Sequence, residues 1–180
     1  VLKNVLIVKN SAIYGGGVYL GQEGSGAKLT NVTIADNVGS YGGGIYLDLA
    51  NGTQTNKPMI TNTIIWNNLP KQIYFSSENN SWEMDISYSD IQGGKDSITT
   101  NNNATINWTE GNMDVPPLLH SDYRLDEYSP AIGAGTSIGA PITDLDGSPR
   151  PNPEGSNPDM GAYESSRAKR LLYTAPIMDG

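Results

Sequence analysis

An all-β chain wound as a right-handed parallel β-helix, a solenoid finished by a Pro- and Gly-rich C-terminal cap, is the fold class this sequence predicts. Three observations predict it. First, Asn4 to Asn10 followed by Tyr14 to Leu20 recurs 27 residues later as Asn31 to Asn37 followed by Tyr41 to Leu47, with Gly15-Gly16-Gly17 and Gly42-Gly43-Gly44 at matching places. Second, apolar residues alternate over two or three positions between Asn, Gly or Pro, which is strand rather than helix patterning. Third, no stretch carries a sustained helical stripe. A repeat of this length cannot bury its apolar face alone, so neighbouring copies must stack.

Taken in order, the copies define columns. A third copy runs from Asn62 to Asn68, with a shorter Leu69-Pro70-Lys71-Gln72 turn before Ile73-Tyr74-Phe75. Leu2, Leu29 and Ile60 fall in one column, Val5, Val32 and Thr63 in a second, and Ile7, Ile34 and Ile65 in a third. A degenerate fourth copy fits Ile86 to Ile91, with Gly93-Gly94 replacing the closing asparagine, so successive offsets are 27, 31 and 26. Equivalent strands would pair in parallel about 4.7–4.9 Å apart. Residues 101–108 supply a last strand with Ile106 and Trp108 on one face.

The asparagine columns Asn4/Asn31/Asn62 and Asn10/Asn37/Asn68 read as a structural ladder. Asparagine tolerates left-handed backbone angles, and its amide bonds nearby backbone at a bend. The glycine triplets lack the Lys-Ser/Thr and the helix of a phosphate-binding loop and read as turns without room for a Cβ.

Composition narrows the function classes. With no cysteine there is neither a disulfide nor a thiolate metal site. A formal net charge of −8 argues against a nucleic-acid partner, and no apolar run approaches the ~20 residues of a membrane span. The chain opens on Val1 inside a repeat without a cap, so the expected partners are missing upstream rungs or a partner subunit on the N-terminal edge.

Eight of the eleven prolines lie between 116 and 158, which makes the second half a turn-rich cap. Its landmarks are Ser129-Pro130-Ala131-Ile132, Asp144-Leu145-Asp146-Gly147 with Pro149-Arg150, and Asp159-Met160-Gly161-Ala162-Tyr163-Glu164. In this order, with the Gly-Gly-Gly-Ile-Tyr repeat, they resemble the C-terminal part of the secreted bacterial β-helix proteins called choice-of-anchor Q or polymorphic outer-membrane-protein-like. The resemblance implies export and a secreted or cell-surface location. It departs at Gly133, where an acid is usual, and at Val115-Pro116-Pro117-Leu118-Leu119, which replaces Asp-Pro-Leu-Phe. Both departures weaken a metal site argued by analogy. The expected organisation is rungs over 1–110, a cap over 111–164 and a tail or linker over 165–180.

Candidate chemistry is sparse. Asp36, Asp48, Asp85 and Asp90 share no column, so no carboxylate pair of a glycoside hydrolase stands out, and the arginines all lie in the cap or tail. No catalytic residue is assigned. His120 is the sole histidine. No cofactor is expected except calcium as a candidate at Asp144, Asp146 and Asp159; the favoured reading of these residues is Asx-turns with an Asp146–Arg150 pair and a positive φ at Gly147. The best binding feature is the outward column Tyr19, Tyr46 and Tyr74, extended by Tyr14 and Tyr41, which would stack against sugar rings or simply stabilise the sheet. Asn31, Asn51, Asn79, Asn103 and Asn107 head sequons that would be silent in a bacterium, Ser97 sits in a short O-glycosylation-like Asp-Ser-Ile pattern, and Lys169-Arg170 reads as a protease-sensitive link or solvated charge. The expected function is a structural or adhesive extracellular β-helix that contacts glycans. Its alternatives are the end of a polysaccharide lyase or glycoside hydrolase with upstream catalytic rungs, and a subunit of an extracellular filament or surface assembly.

Overall fold

The computed structural model describes residues 1–21, 26–48, 57–76, 82–102 and 104–169. The chain is all-β, with parallel sheets, one of them strongly curled. In the first copy β1 is Leu2–Val8, β2 Ser11–Tyr14 and β3 Val18–Leu20. In the second, β4 is Lys28–Ala35, β5 Val38–Tyr41 and β6 Ile45–Leu47. The third gives β7 Met59–Thr61, β8 Ile64–Trp66 and β9 Ile73–Phe75. Next come β10 Trp82–Ser87, β11 Asp90–Ile91 and β12 Ala104–Trp108, with a 3-10 turn at Lys95–Ser97.

Each strand pairs in parallel with its counterpart one copy away. Leu2 faces Leu29, which faces Ile60, which faces Ile86. Likewise Ile7, Ile34, Ile65 and Ile91 form one column, so the offsets 27, 31 and 26 are the strand register itself. These columns, with Ile45, Leu47, Ile73, Phe75 and Met84, make the main buried core. Burying one such side chain stabilises by roughly 1.5–3 kcal/mol. Stacking continues past the expected boundary at 110: β12 pairs β10, the Ser89 N–H donates to Asn112 Oδ1, and Met113 bridges Asp90. Trp108 is half-buried on the core with Ile106, as expected.

The two asparagine columns do different work. Asn4, Asn31 and Asn62 have φ of 51°, 55° and 51°, and the bend they make divides β4 so that its first part pairs β7 and its second pairs β8. Asn10, Asn37 and Asn68 do not take left-handed angles, contrary to expectation; Lys9, Asp36 and Asn67 just before them do, at 57°, 56° and 55°. The closing asparagines form a continuous ladder, and the expected ladder is also present in part of the first column, where the Asn62 amide donates to Asn31 Oδ1 at 3.2 Å. The Asn10 backbone and side-chain amides donate to Asn37 Oδ1, and those of Asn37 donate to Asn68 Oδ1 at 2.9–3.0 Å. Gln72 continues the row, accepting from Asn68 at 2.8 Å and donating to Gln92 Oε1 at 3.1 Å. A loop lacking the asparagine's successor thus satisfies the Asn68 amide.

The glycine triplets are turns, and one position shows why. Gly42 has φ 56°, while a Cβ on Gly43 would stand 2.0 Å from the Leu69 carbonyl oxygen of the next copy. Close backbone approach between copies, more than the turn, excludes a side chain there.

The second half is turn-rich as expected, with isolated bridges at Leu119–Leu125 and Thr143–Pro149. It packs along the flank of the stack, a placement that the word cap does not convey. Asn4, Asn31 and Asn62 each donate to it, at Thr143 O, Asp159 O and Thr136 O. Ile64 turns outward under it against Ala131 and Met160 in a second buried cluster. Thr33 and Asp90 occupy the same outward column, because β4 pairs Thr33 with Ile64 and β8 pairs Ile64 with Asp90. Thr33 accepts from the Ala162 N–H at 3.0 Å.

Candidate functional site

The tyrosines gather on the β2–β5 and β3–β6–β9 sheets, not on the β4–β8 sheet against which this flank packs. In β3, β6 and β9 the residues on either side, Val18/Ile45/Ile73 and Leu20/Leu47/Phe75, turn into the core, and alternation sends Tyr19, Tyr46 and Tyr74 outward. Tyr14 and Tyr41 pair across β2 and β5. Tyr19, Tyr46 and Tyr74 stack with centroids 5.7 Å apart and planes within 14°, and Tyr14 stacks on Tyr41 at 5.5 Å. Tilted contacts at 5.0 Å and 5.7 Å join the two columns, Tyr14 to Tyr46 and Tyr41 to Tyr74. With Asp48 and Ser76 these five rings line an open trough of about 410 Å³.

Stacking decides what the trough presents. The rings cover one another's faces, so Tyr46 is only 8 % exposed, whereas Tyr14 and Tyr19 at the first copy are 48 % and 50 % exposed. The expected strip of one exposed ring per copy is therefore corrected: its middle member is enclosed, and open faces belong to the end of each column. Each ring pair contributes about 0.5–1.5 kcal/mol beyond area, so the sheet-stabilising role operates whether or not a ligand binds. The Tyr19 hydroxyl donates to Asp48 Oδ2 at 2.6 Å. That bond, then burial and the carboxylate charge, push the Tyr19 phenol upward, and burial first pushes Tyr46 up to about 12. Both stay protonated at neutral pH.

A second cleft, of about 380 Å³, lies on the flank, between Lys9, Asp36, Trp66 and Asn67 of the stack and the segment from Pro116 to Tyr123. Asp36 accepts from the Asn67 amide at 2.5 Å and from the Tyr123 hydroxyl at 2.6 Å. Lys9 Nζ sits 5.5 Å from the Tyr123 ring centroid, and burial followed by the Asp36 bond pushes the Tyr123 phenol up to about 12. His120, in this wall, lies 3.7 Å from Asp126. Sequence reasoning missed this grouping because Asp36 and Tyr123 are 87 residues apart. The only local signal was an acid where the neighbouring copies have Lys9 and Asn67.

Asp144, Asp146 and Asp159 are not brought together for a cation, and among the described residues no group of three or more acidic or histidine side chains could hold a metal. Asp144 Oδ1 closes an Asx-turn on the Asp146 and Ser148 N–H groups, and Gly147 has φ 87°, both as expected. The Asp146 partner is Arg124, which contradicts the expected Arg150 pair. Arg150 instead meets Glu164 at 2.9 Å with both side chains fully buried. Asp159 is enclosed and takes the Gly133 N–H at 2.7 Å and the Ser165 N–H at 2.6 Å. Burial and then Glu164 push its carboxyl up to about 7, and burial also raises Glu164. This is an internal anchor for the second half, and Gly133 donates where an acid was expected.

Ser97 is half-buried, and its hydroxyl donates to the Gln92 and Gly94 carbonyls. Of the sequon residues, Asn31 is fully buried and Asn107 bonds Asp85 at 2.7 Å, while Asn51, Asn79 and Asn103 lie outside the described residues. Arg170 of the proposed protease-sensitive pair also lies outside them. No helix among the described residues is long and apolar enough to cross a membrane. Comparison with family models, curated proteins and solved structures finds no match to this chain.

Proposed function

We propose that this chain is the C-terminal part of a right-handed parallel β-helix in a secreted or cell-surface bacterial protein of the choice-of-anchor Q or polymorphic outer-membrane-protein-like kind. It serves as a stiff, non-catalytic stalk that contacts glycans along its tyrosine trough. The observation that carries the reading is the repeat register: Leu2, Leu29, Ile60 and Ile86 lie one above another, strand on parallel strand. Such stacking gives rigidity by repetition, and a tyrosine-lined trough offers apolar ring edges and hydroxyls to a sugar. In a glycan array, wild-type protein is expected to retain a set of glycans that Tyr19→Ala and Tyr14→Ala lose. Equal retention by wild type and both variants, or none by any, would sink the contact role.

Assembly through the first copy is a second reading with its own observation. Leu2, Val5, Ile7, Val18 and Leu20 are only half-buried, although their partners Leu29, Val32, Ile34, Ile45 and Leu47 are at most 2 % exposed. A preceding coil or a partner subunit adding strands at this edge would complete their burial. Light scattering of the isolated chain tests it, since a strictly monomeric chain up to high concentration contradicts self-assembly.

A further inference from the structure

We propose that the flank cleft at Trp66 is a carbohydrate site separate from the tyrosine trough, one that takes a single neutral pyranose ring. The inference rests on the reading of the chain as glycan-contacting and not on the trough. The cleft forms where the second half meets the middle of the stack: Ala35, Asp36, Trp66 and Asn67 come from the second and third copies, and the segment 116–123 makes the other wall. Its volume of about 380 Å³ is near the lower end of small-molecule sites.

The strand register supplies the floor. β4 pairs Ala35 with Trp66, so a methyl group stands beside the indole in the stack. Trp66 is half-buried, packing against the Ile64, Ala131 and Met160 cluster while also lining the cleft. An indole fixed in this way is a platform for the C–H face of a pyranose. Asn67 stands next to it, held by its backbone N–H on Gln92 Oε1 at 2.7 Å and by its side-chain amide on Asp36. An amide carries two donor hydrogens and an acceptor oxygen, so one bond to Asp36 leaves it able to meet sugar hydroxyls. The opposite wall is a closed turn: the His120 N–H donates to Arg124 O at 2.8 Å, the Tyr123 N–H to His120 O at 2.9 Å and the Asp126 N–H to Leu118 O at 2.8 Å. A wall formed in advance lowers the ordering cost of binding.

Charge sets the class of sugar. Asp36 accepts from both the Asn67 amide and the Tyr123 hydroxyl, and the Lys9 ammonium lies against the Tyr123 ring, so both charges are engaged within the protein. A carboxylate or ammonium on the ligand would lose water and find these charges already met, whereas a neutral sugar exchanges hydroxyl bonds to water for bonds to the cleft.

The test is an NMR titration of the whole chain with methyl glucoside, methyl galactoside, methyl mannoside, glucuronate and glucosamine, read at the Trp66 indole and at the backbone N–H signals of Asn67 and Ser121. At least one methyl hexoside is expected to move these signals with a Kd of about 1–10 mM, in keeping with so small a ligand. Its affinity should fall at least about fivefold in Trp66→Leu and stay unchanged in Tyr14→Ala and Tyr19→Ala, with neither charged sugar binding tighter. Shifts confined to the trough, or an affinity that Trp66→Leu leaves intact, overturn the cleft site and leave glycan contact standing. Binding of glucuronate or glucosamine about threefold or more tighter than every methyl hexoside overturns the neutral class. No sugar bound at either place overturns both the site and the glycan reading. If Trp66→Leu fails to fold, magnetisation transfer from the sugar ring protons to the Trp66 indole of the wild type decides, and its absence refutes the platform.

Discussion

Replacing Asp90 by asparagine should stabilise this protein at neutral and alkaline pH and leave it nearly unchanged in acid. Asp90 is fully buried beneath the second half, one oxygen accepts the Val115 N–H at 3.2 Å, and Oδ2 has no hydrogen-bond partner. Burial pushes its carboxyl from 3.8 up to about 7, the Val115 bond opposes this, and the Asp114 charge adds to it. An acid with a raised folded-state pKa holds its proton in the folded chain over the range in which the unfolded chain has lost it. Stability therefore falls as pH rises from about 4 to about 7, and the full penalty persists above that range. A rise of about 3 units at ~1.4 kcal/mol each sets a ceiling of about 4 kcal/mol. Asparagine keeps the acceptor for Val115 and carries no charge. In thermal melts from pH 4 to 8 the gap between Asp90→Asn and wild type should open with pH. At roughly 2–4 °C per kcal/mol for a chain of this size, it should reach about 8–16 °C at pH 8 if the whole penalty is realised. Asp159 titrates in the same direction but is common to both proteins, so it cancels in the difference. A gap that stays flat across pH 4 to 8 would refute the assignment of a buried, neutral Asp90.

Other substitutions probe the stack and its flank. Gly43→Ala drives a Cβ to 2.0 Å from the Leu69 carbonyl, so urea unfolding should show a loss of more than about 2 kcal/mol. Asn68→Ala removes the acceptor for both Asn37 amides inside a buried row, which should cost about 3 kcal/mol, whereas Asn10→Ala at the exposed end should cost under about 1 kcal/mol; equal losses would contradict the ladder. Arg150→Met strands Glu164 inside the second half and should lose about 3–5 kcal/mol, part of it restored by adding Glu164→Gln, as read by hydrogen exchange across residues 129–164.

How much of this was legible beforehand follows from the range of the interactions. Columns such as Leu2/Leu29/Ile60 repeat at a fixed offset, so comparing the sequence with itself reveals partners far apart along the chain. The outward turn of Tyr19, Tyr46 and Tyr74 follows from alternation, a local rule. Their mutual enclosure does not, because ring stacking depends on spacing and tilt between copies. Likewise the Arg124–Asp146 and Arg150–Glu164 pairs could not be told apart from Arg150–Asp146, since turn signals fix bends but leave the direction of a long side chain open.

The sequence by itself determined the strands, their parallel register and the columns that fill the core, because period and alternation are properties of neighbouring residues and of a simple repeat. Only the tertiary structure decided where the second half goes. Its turns carry no period, and its course along the flank depends on contacts such as Asn31 to Asp159 and Tyr123 to Asp36, between residues 128 and 87 positions apart with no shared pattern. That placement buried Asp90 and Ile64 on what alternation alone would have called an outer face, and it created the cleft at Trp66. Burial of an outer face is a property of what lies across from it, and a strand's own residues do not encode that.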